Sequence, residues 1–306
     1  MKLQNVLSTK QFIKRENLQE IFDLADECRE NNAQLNQCLQ GKILASLFYE
    51  PSTRTRFSFE SAMIRLGGSC ISTENASQFS SAAKGETLED SIKVISNYVD
   101  VIVLRHYKRG ASLKASRVSD VPIINAGDGV GEHPTQALLD LYTIQKELGQ
   151  MDNIRIALVG DLLNGRTIHS LLHLLSNCIN IKVYLVSPVG LGLPKNYLNY
   201  LRKSQIDFIE TDNLTKILKH IDVLYVTRIQ KERFSSLDLY KKMKDCFIIN
   251  KKMIRDLPKK AIIMHPLPRI SEITQELDSD SRAVYFRQAQ NGLFIRMALL
   301  KILLDN

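Results

Sequence analysis

Tryptophan is absent from this 306-residue sequence, aromatic residues make up only 7%, and cysteine occurs five times. Cys28, Cys38, Cys70, Cys178 and Cys246 are scattered, odd in number and never spaced Cys-x-x-Cys. That pattern speaks against a disulfide framework or a cysteine zinc site and fits free thiols in a reducing compartment. No apolar run approaches the roughly 20 residues needed to cross a bilayer. The opening stretch MKLQNVLSTKQFIKREN breaks into charge too early for a secretory signal. The expected location is therefore cytoplasmic, with no membrane partner. Internal repeats and low-complexity linkers are also lacking.

What remains is ordinary soluble-protein composition, 44% hydrophobic and 24% charged, which supports a real core and excludes disordered and fibrous classes. The length suits two domains of roughly 150 residues each. The formal charge of +8, from 41 Lys and Arg against 33 Asp and Glu, permits a nucleic-acid binder or an enzyme for anionic substrates. Nucleic-acid binding wants a basic stripe interleaved with aromatics. The lysines are instead spread out, as at Lys10, Lys93, Lys146, Lys203, Lys241 and Lys259, so no nucleic-acid partner is expected.

Short apolar runs alternate with longer amphipathic segments. Strands are expected at Ile43 to Phe48, Val101 to Leu104, Ile154 to Val159, Ile181 to Val186, Val223 to Val226 and Ala261 to Met264. Helices are expected at Leu18 to Cys28, Leu88 to Tyr98, Pro134 to Leu148, Thr167 to Leu175 and from about Gly292 to Leu304. This alternation predicts an α/β protein of two doubly wound parallel-sheet domains linked by long helices, with ligands in the interdomain cleft. The expected division is 1–149 and 150–286, with the C-terminal helix, from about 287 to 306, packing back onto the first domain.

The loops after the strands carry the chemistry. Phe48-Tyr49-Glu50-Pro51-Ser52-Thr53-Arg54-Thr55-Arg56 follows a strand and opens a helix, with Ser52 or Thr53 placed to cap it. Open amides, the helix dipole, two hydroxyls and Arg54 together suit a phosphate dianion. Ser52-Thr53-Arg54-Thr55-Arg56 resembles the phosphate-binding signature of the aspartate and ornithine carbamoyltransferases. The resemblance continues in order through Arg105, His133-Pro134-Thr135-Gln136, Asp161 to Thr167, Thr227 to Arg233 and His265-Pro266-Leu267-Pro268-Arg269. It covers nearly the whole chain.

The resemblance implies roles for these residues. Ser52, Thr53, Arg54 and Thr55 would hold the phosphate of carbamoyl phosphate, with Arg105 bridging phosphate and carbonyl oxygen. His133 would donate to that oxygen as it gains charge, an interaction whose loss typically costs about 2.7–4 kcal/mol. Gln136, one turn on, would hold the carbamoyl amide, beside Leu267 and Pro268. By the same resemblance, attack by the amine would be direct, and the departing phosphate would accept its proton. Orientation alone can supply roughly 7–11 kcal/mol in such a scheme. No metal and no organic cofactor is expected.

The second substrate is read from different residues. Aspartate has two carboxylates, whereas ornithine has one carboxylate and a cation. Arg166 and Arg228 stand in loops of the second half with Gln230 beyond, and forked guanidinium groups suit carboxylates. Ornithine enzymes typically carry a Ser-Met-Gly loop and a His-Cys-Leu-Pro stretch; this chain has Thr227-Arg228-Ile229-Gln230 and His265-Pro266-Leu267-Pro268. The backbone carbonyl of Leu267 would accept from the substrate amine. L-aspartate is thus the expected acceptor, ornithine carbamoylation the alternative. A catalytically inactive binding homologue is a third reading, opposed by the intact reacting positions.

Ser80 and Lys84 lie in a polar stretch that alone reads as a solvated loop. The resemblance assigns them to a neighbouring subunit's active site, which implies a homotrimer. Gly160 to Thr167 nearly matches a P-loop, with Arg166 in the lysine's place, but Asp222 precedes its strand and no later magnesium-binding Asp is evident. His169 and His173 are four apart, yet Ser170 replaces a zincin's Glu, so packed or solvent-facing histidines are expected. Two stretches depart from familiar relatives. Phe234 to Asp238 differs in length and charge, although Tyr240 remains. Tyr107-Lys108-Arg109-Gly110 is more basic than in enteric relatives, where this region meets a zinc-bearing regulatory chain. A larger assembly with such a chain stays open on sequence.

Overall fold

The computed structural model describes residues 3–31, 34–76, 85–230, 238, 240, 243 and 246–305. Ser80, Lys84 and the stretch 231–237 therefore lie outside the described residues. The chain divides into two compact units, Met1–Leu139 with Gln290–Asn306, and Asp140–Ala289.

The first unit is built on a parallel sheet of β1 (Ile43–Phe48), β2 (Ser69–Glu74), β3 (Val101–His106) and β4 (Ile123–Asp128), in the order β2-β1-β3-β4. Strands covered on both faces read as continuous apolar runs. β3 is buried throughout, and β1 is buried from its second residue on. Around the sheet run α1 (Arg15–Glu30), α2 (Thr53–Arg65), α3 (Leu88–Ser96), α4 (Ala111–Ser116) and the start of α5 (Pro134–Leu148). One apolar cluster gathers Ala45, Leu47, Ile92, Ile102, Leu104 and Ile123 between sheet and helices.

The second unit repeats the plan with β5 (Arg155–Val159), β6 (Lys182–Val186), β7 (Asp207–Thr211), β8 (Val223–Val226) and β9 (Ile262–Met264), ordered β7-β6-β5-β8-β9 and parallel. Its helices include α6 (Arg166–Leu175) and α7 (Lys195–Lys203). α8 (Tyr285–Leu304) follows, starting two residues before the expected 287 and seven before Gly292. Gly292 lies inside that helix, at a position where a Cβ would stand 2.9 Å from Leu139 and 2.5 Å from Arg296.

Both sheets are doubly wound. β1 is followed by β2 on one side and β3 on the other; β5 is followed by β6 on one side and β8 on the other. Ligands in open α/β sheets gather beyond the carboxyl ends of strands where the winding reverses. Those switch points are β1/β3 and β5/β8. α5 begins with Pro134, whose missing N–H costs nothing at a first helical position. It ends at Gly149, φ +73°, whose amide donates to Gln145 O at 2.8 Å.

Candidate active site

At the β1/β3 switch point, Phe48 is paired with Arg105, and Tyr49 N donates to Arg105 O at 2.8 Å. The loop from Tyr49 to Ser52 and the side chain of Arg105 thus leave the same end of the sheet. Arg105 is buried, its Nη2 3.1 Å from Glu50 Oε2 and its Nη1 donating to Ala126 O at 3.1 Å. Glu50, which no pattern in the sequence marks, gives the buried guanidinium its carboxylate.

Ser52 is the N-cap of α2, but its side chain makes no capping bond, which corrects the expected capping role of Ser52 or Thr53. The helix start therefore lacks the hydroxyl partner that usually satisfies a first-turn amide. Thr53 and Arg54 are exposed, Ser52 half-buried and Thr55 buried.

The two arginines of this turn differ. Arg56 is tied to Glu74 at 3.1 Å and to Glu60 at 3.8 Å. Arg54 has no carboxylate partner among the described residues, and partial desolvation pulls its pKa below the ordinary arginine value. An arriving anion would reverse that effect.

β4, beside β3, delivers the third part of this end of the unit. Asp128 Oδ2 accepts from Gly110 N at 2.8 Å and Oδ1 from Glu132 N at 2.7 Å, fixing the turn that leads into α5. Glu132 is itself clamped by Ser8 Oγ at 2.8 Å and Thr9 N at 2.7 Å. His133 is buried, and its carbonyl caps α5 by accepting from Gln136 N at 3.0 Å and Ala137 N at 3.2 Å. Gln136 is buried one turn on.

In the second unit, β5, β8 and β9 are neighbours, and the remaining expected residues follow their carboxyl ends. Gly160, φ +121°, passes so close to β8 that a Cβ would lie 2.3 Å from Thr227 O. Asp161 Oδ1 accepts from Asn164 N at 3.0 Å, and Asn164 O accepts from Arg166 N at 2.9 Å and from Gln230 Nε2 at 3.1 Å. Asp161 thus orders the loop that joins Arg166 to Gln230, both half-buried, as is Arg228. His169 Nε2 bonds Leu162 O at 2.8 Å on the same loop.

His169 and His173 are both buried, which corrects the solvent-facing alternative. Tyr197 stacks on His169 at 4.2 Å and Tyr200 meets His173 edge-on at 4.9 Å. Asp222 Oδ2 accepts from Arg155 N at 2.8 Å and is spent on that strand start. Leu267 is half-buried and holds φ +53° before a cis peptide to the exposed Pro268.

Residues 4–146 match the family model described as aspartate/ornithine carbamoyltransferase, carbamoyl-P binding domain; residues 152–303 match the aspartate/ornithine carbamoyltransferase, Asp/Orn binding domain. The chain is 54% identical over 305 residues to the chloroplastic aspartate carbamoyltransferase of Arabidopsis thaliana, covering 99% of this chain and 78% of the relative. The catalytic subunit of M. jannaschii aspartate transcarbamoylase shares its fold with TM-score 0.92 and 50% identity, over 99% of each chain. The Trypanosoma cruzi aspartate transcarbamoylase solved with carbamoyl phosphate and aspartate gives TM-score 0.92 at 42% identity, covering 99% of this chain and 97% of the other. Two doubly wound units with polar loops at their switch points, together with these matches, place the chain in the aspartate/ornithine carbamoyltransferase family, to which it belongs.

Proposed function

We propose that this chain is an aspartate carbamoyltransferase. It transfers the carbamoyl group of carbamoyl phosphate to the amine of L-aspartate, giving N-carbamoyl-L-aspartate and phosphate, in de novo pyrimidine synthesis. The observation that carries the phosphate assignment is Arg54, a guanidinium without a carboxylate partner among the described residues, at an uncapped helix start. Ser52, Thr53 and Thr55 complete that cradle with hydroxyls and amides. Arg105, held in place by Glu50, reaches phosphate and carbonyl oxygen. His133 donates to the carbonyl oxygen, and Gln136 binds the carbamoyl amide.

The second unit holds aspartate. Arg166 and Arg228 take its two carboxylates, each charge-assisted hydrogen bond contributing about 1.5–3 kcal/mol. Gln230, tied to the Arg166 loop through Asn164 O, orients them. The carbonyl of Leu267 accepts from the amine, with Pro268 beside it. The attacking amine adds to the carbamoyl carbon, negative charge grows on the oxygen facing His133 and Arg105, and the C–O bond to phosphate breaks. The departing phosphate carries away the amine proton.

The active enzyme is a homotrimer in which Ser80 and Lys84 serve the neighbouring subunit's site. Support comes from Phe57 and Ile64, exposed seven residues apart on α2, and Ile71, exposed on the adjoining edge strand β2. Such apolar surface suits cover by a second copy. The basic turn 107–110 is the place at which a zinc-bearing regulatory chain would join. Five free thiols suit a reducing compartment, the basis for placing the enzyme in the cytoplasm. No described helix is long and apolar enough to cross a membrane.

The test is carbamoyl transfer from carbamoyl phosphate with L-aspartate and L-ornithine as parallel acceptors. Product with aspartate alone is expected. Product with ornithine alone would overturn the roles given to Arg166 and Arg228, and product with neither would overturn the activity.

A further inference from the structure

The turn that carries Leu267 is held in a way the reaction alone does not explain. Leu267 adopts φ +53°, a region that a leucine rarely occupies. A backbone in that state needs fixed partners to persist. Its amide donates to Nδ1 of His265 at 2.8 Å. The His265 ring is almost fully enclosed, with the residue 2% exposed, and its Nε2 lies 2.8 Å from Glu272 Oε1.

Heavy atoms alone settle the tautomer. A backbone N–H can only donate, so Nδ1 must accept, and the proton sits on Nε2 facing the carboxylate. Glu272 is fixed in turn by Ile270 N at 3.2 Å and Ser271 N at 3.2 Å. The backbone of His265 is tied by donating from its N to Gln288 Oε1 at 2.9 Å.

We propose that His265 is a positioning residue for carbamoyl transfer: with Glu272 setting its tautomer, its Nδ1 fixes the Leu267 turn and so aims the Leu267 carbonyl at the reacting amine. The proposal rests on the carbamoyl-transfer reading above and deepens it. Charge distribution around the ring supports a neutral imidazole. Burial pushes its pKa down; Glu272 pulls it up, while the cations of Arg269 and Arg228 push it down, and the net direction is downward. Arg228, assigned to aspartate, is therefore near enough to be felt at this ring. A protonated Nδ1 would repel the Leu267 amide, so neutrality is what the turn requires.

The pair resembles a carboxylate–imidazole relay in outline, but its free nitrogen is spent on a backbone amide. It has no lone pair left for substrate. That distinguishes positioning from general-base chemistry.

Two substitutions separate the two ring nitrogens. In His265→Asn the side-chain oxygen occupies the Nδ1 position and still accepts from Leu267. In His265→Gln the amide reaches Glu272 but leaves the Leu267 amide without its acceptor. The expected result is an Asn variant within about tenfold of wild-type kcat and a Gln variant down about a hundredfold, the scale of a small misplacement at a reacting centre. Carbamoyl phosphate affinity by calorimetry should fall much less than kcat in the Gln variant, because the Leu267 turn supplies only part of that substrate's contacts.

Equal losses in the two variants, or losses that simply follow their melting temperatures, would overturn the proposal. Histidine side-chain 15N NMR on the wild-type enzyme provides a check that needs no variant. An unprotonated Nδ1 and protonated Nε2 at His265 at neutral pH are expected, and a protonated Nδ1 would overturn the assignment. If wild-type enzyme fails to carbamoylate aspartate, the functional reading fails while the tautomer result stands.

Discussion

Arg54, Arg56 and Arg105 are close in sequence space or in the sheet, yet their surroundings sort them by task. Arg56 and Arg105 have carboxylates to answer them, and Arg54 has none among the described residues. A cation kept uncompensated serves a charge that arrives with substrate. Replacing Arg54 with Ala should therefore lower kcat by about 10²–10³-fold or more, the range seen when a preorganised donor is lost. The melting temperature should hold, since no native ion pair is broken. Normal turnover in a folded Arg54→Ala protein would remove Arg54 from the phosphate site. Sequence made this residue visible because hydroxyls and arginines were concentrated directly after an apolar strand. Glu50, Glu272 and Gln288 gave no comparable signal. Their work is to hold other residues through contacts made only by folding, Glu272 seven positions from His265 and Gln288 twenty-three.

Elements were legible where burial is complete and blurred where it is not. β1, β3, β5, β6, β8 and β9 read as apolar runs because helices cover both faces of a parallel sheet. β2, Ser-Cys-Ile-Ser-Thr-Glu, and β7, Asp-Phe-Ile-Glu-Thr, each lie at one edge of their sheet and are half exposed, unlike the buried edge strands β4 and β9, so neither shows such a run. β4 is buried throughout but includes Asn125 and Asp128, whose polar groups are satisfied by Leu7 O, Gly127 N and Gly110 N. In the first turns of α8, Arg287, Gln288 and Asn291 are polar for reasons of contact, with Glu147, the His265 amide and Arg29, which blurs the apolar pattern there.

α6 is the opposite case, a helix buried from Ile168 to Leu175 with two histidines inside it. Burial pushes His169 from 6.5 down to about 4, so the folded helix keeps it neutral where the unfolded chain would bind a proton. Its contribution is intact above pH 6.5 and is lost as pH falls toward about 4, at a slope of at most about 1.4 kcal/mol per pH unit. His169→Phe retains a ring against Tyr197 and removes the titration. Denaturant unfolding across that window should show a shallower pH slope for the variant than for wild type. Equal slopes would mean that His169 is protonated, or reachable by water, in the folded state.

At the scale of the molecule, each unit places its chemistry at one switch point, and the topology explains why residues far apart in sequence share an end of a sheet. Arg105 follows Phe48 by 57 positions yet pairs with it directly. The assembly is a separate matter, because no periodicity or strand pattern in a single chain encodes what a second copy supplies. Ser80 and Lys84 are assigned through resemblance, and the exposed Phe57, Ile64 and Ile71 only make a covered face physically reasonable. Complementation decides it. Arg54→Ala and Lys84→Ala subunits should each be inactive as pure trimers. When they are mixed equally and reassembled, a competent site needs Arg54 from one subunit and Lys84 from its neighbour. Random assembly of a symmetric trimer makes that about one site in four, so roughly a quarter of wild-type activity should return. Activity should vanish again when either parent is in large excess. Mixed trimers confirmed by differential tagging but without recovered turnover would mean that each chain completes its own site, and that Lys84 acts, if at all, within its own subunit.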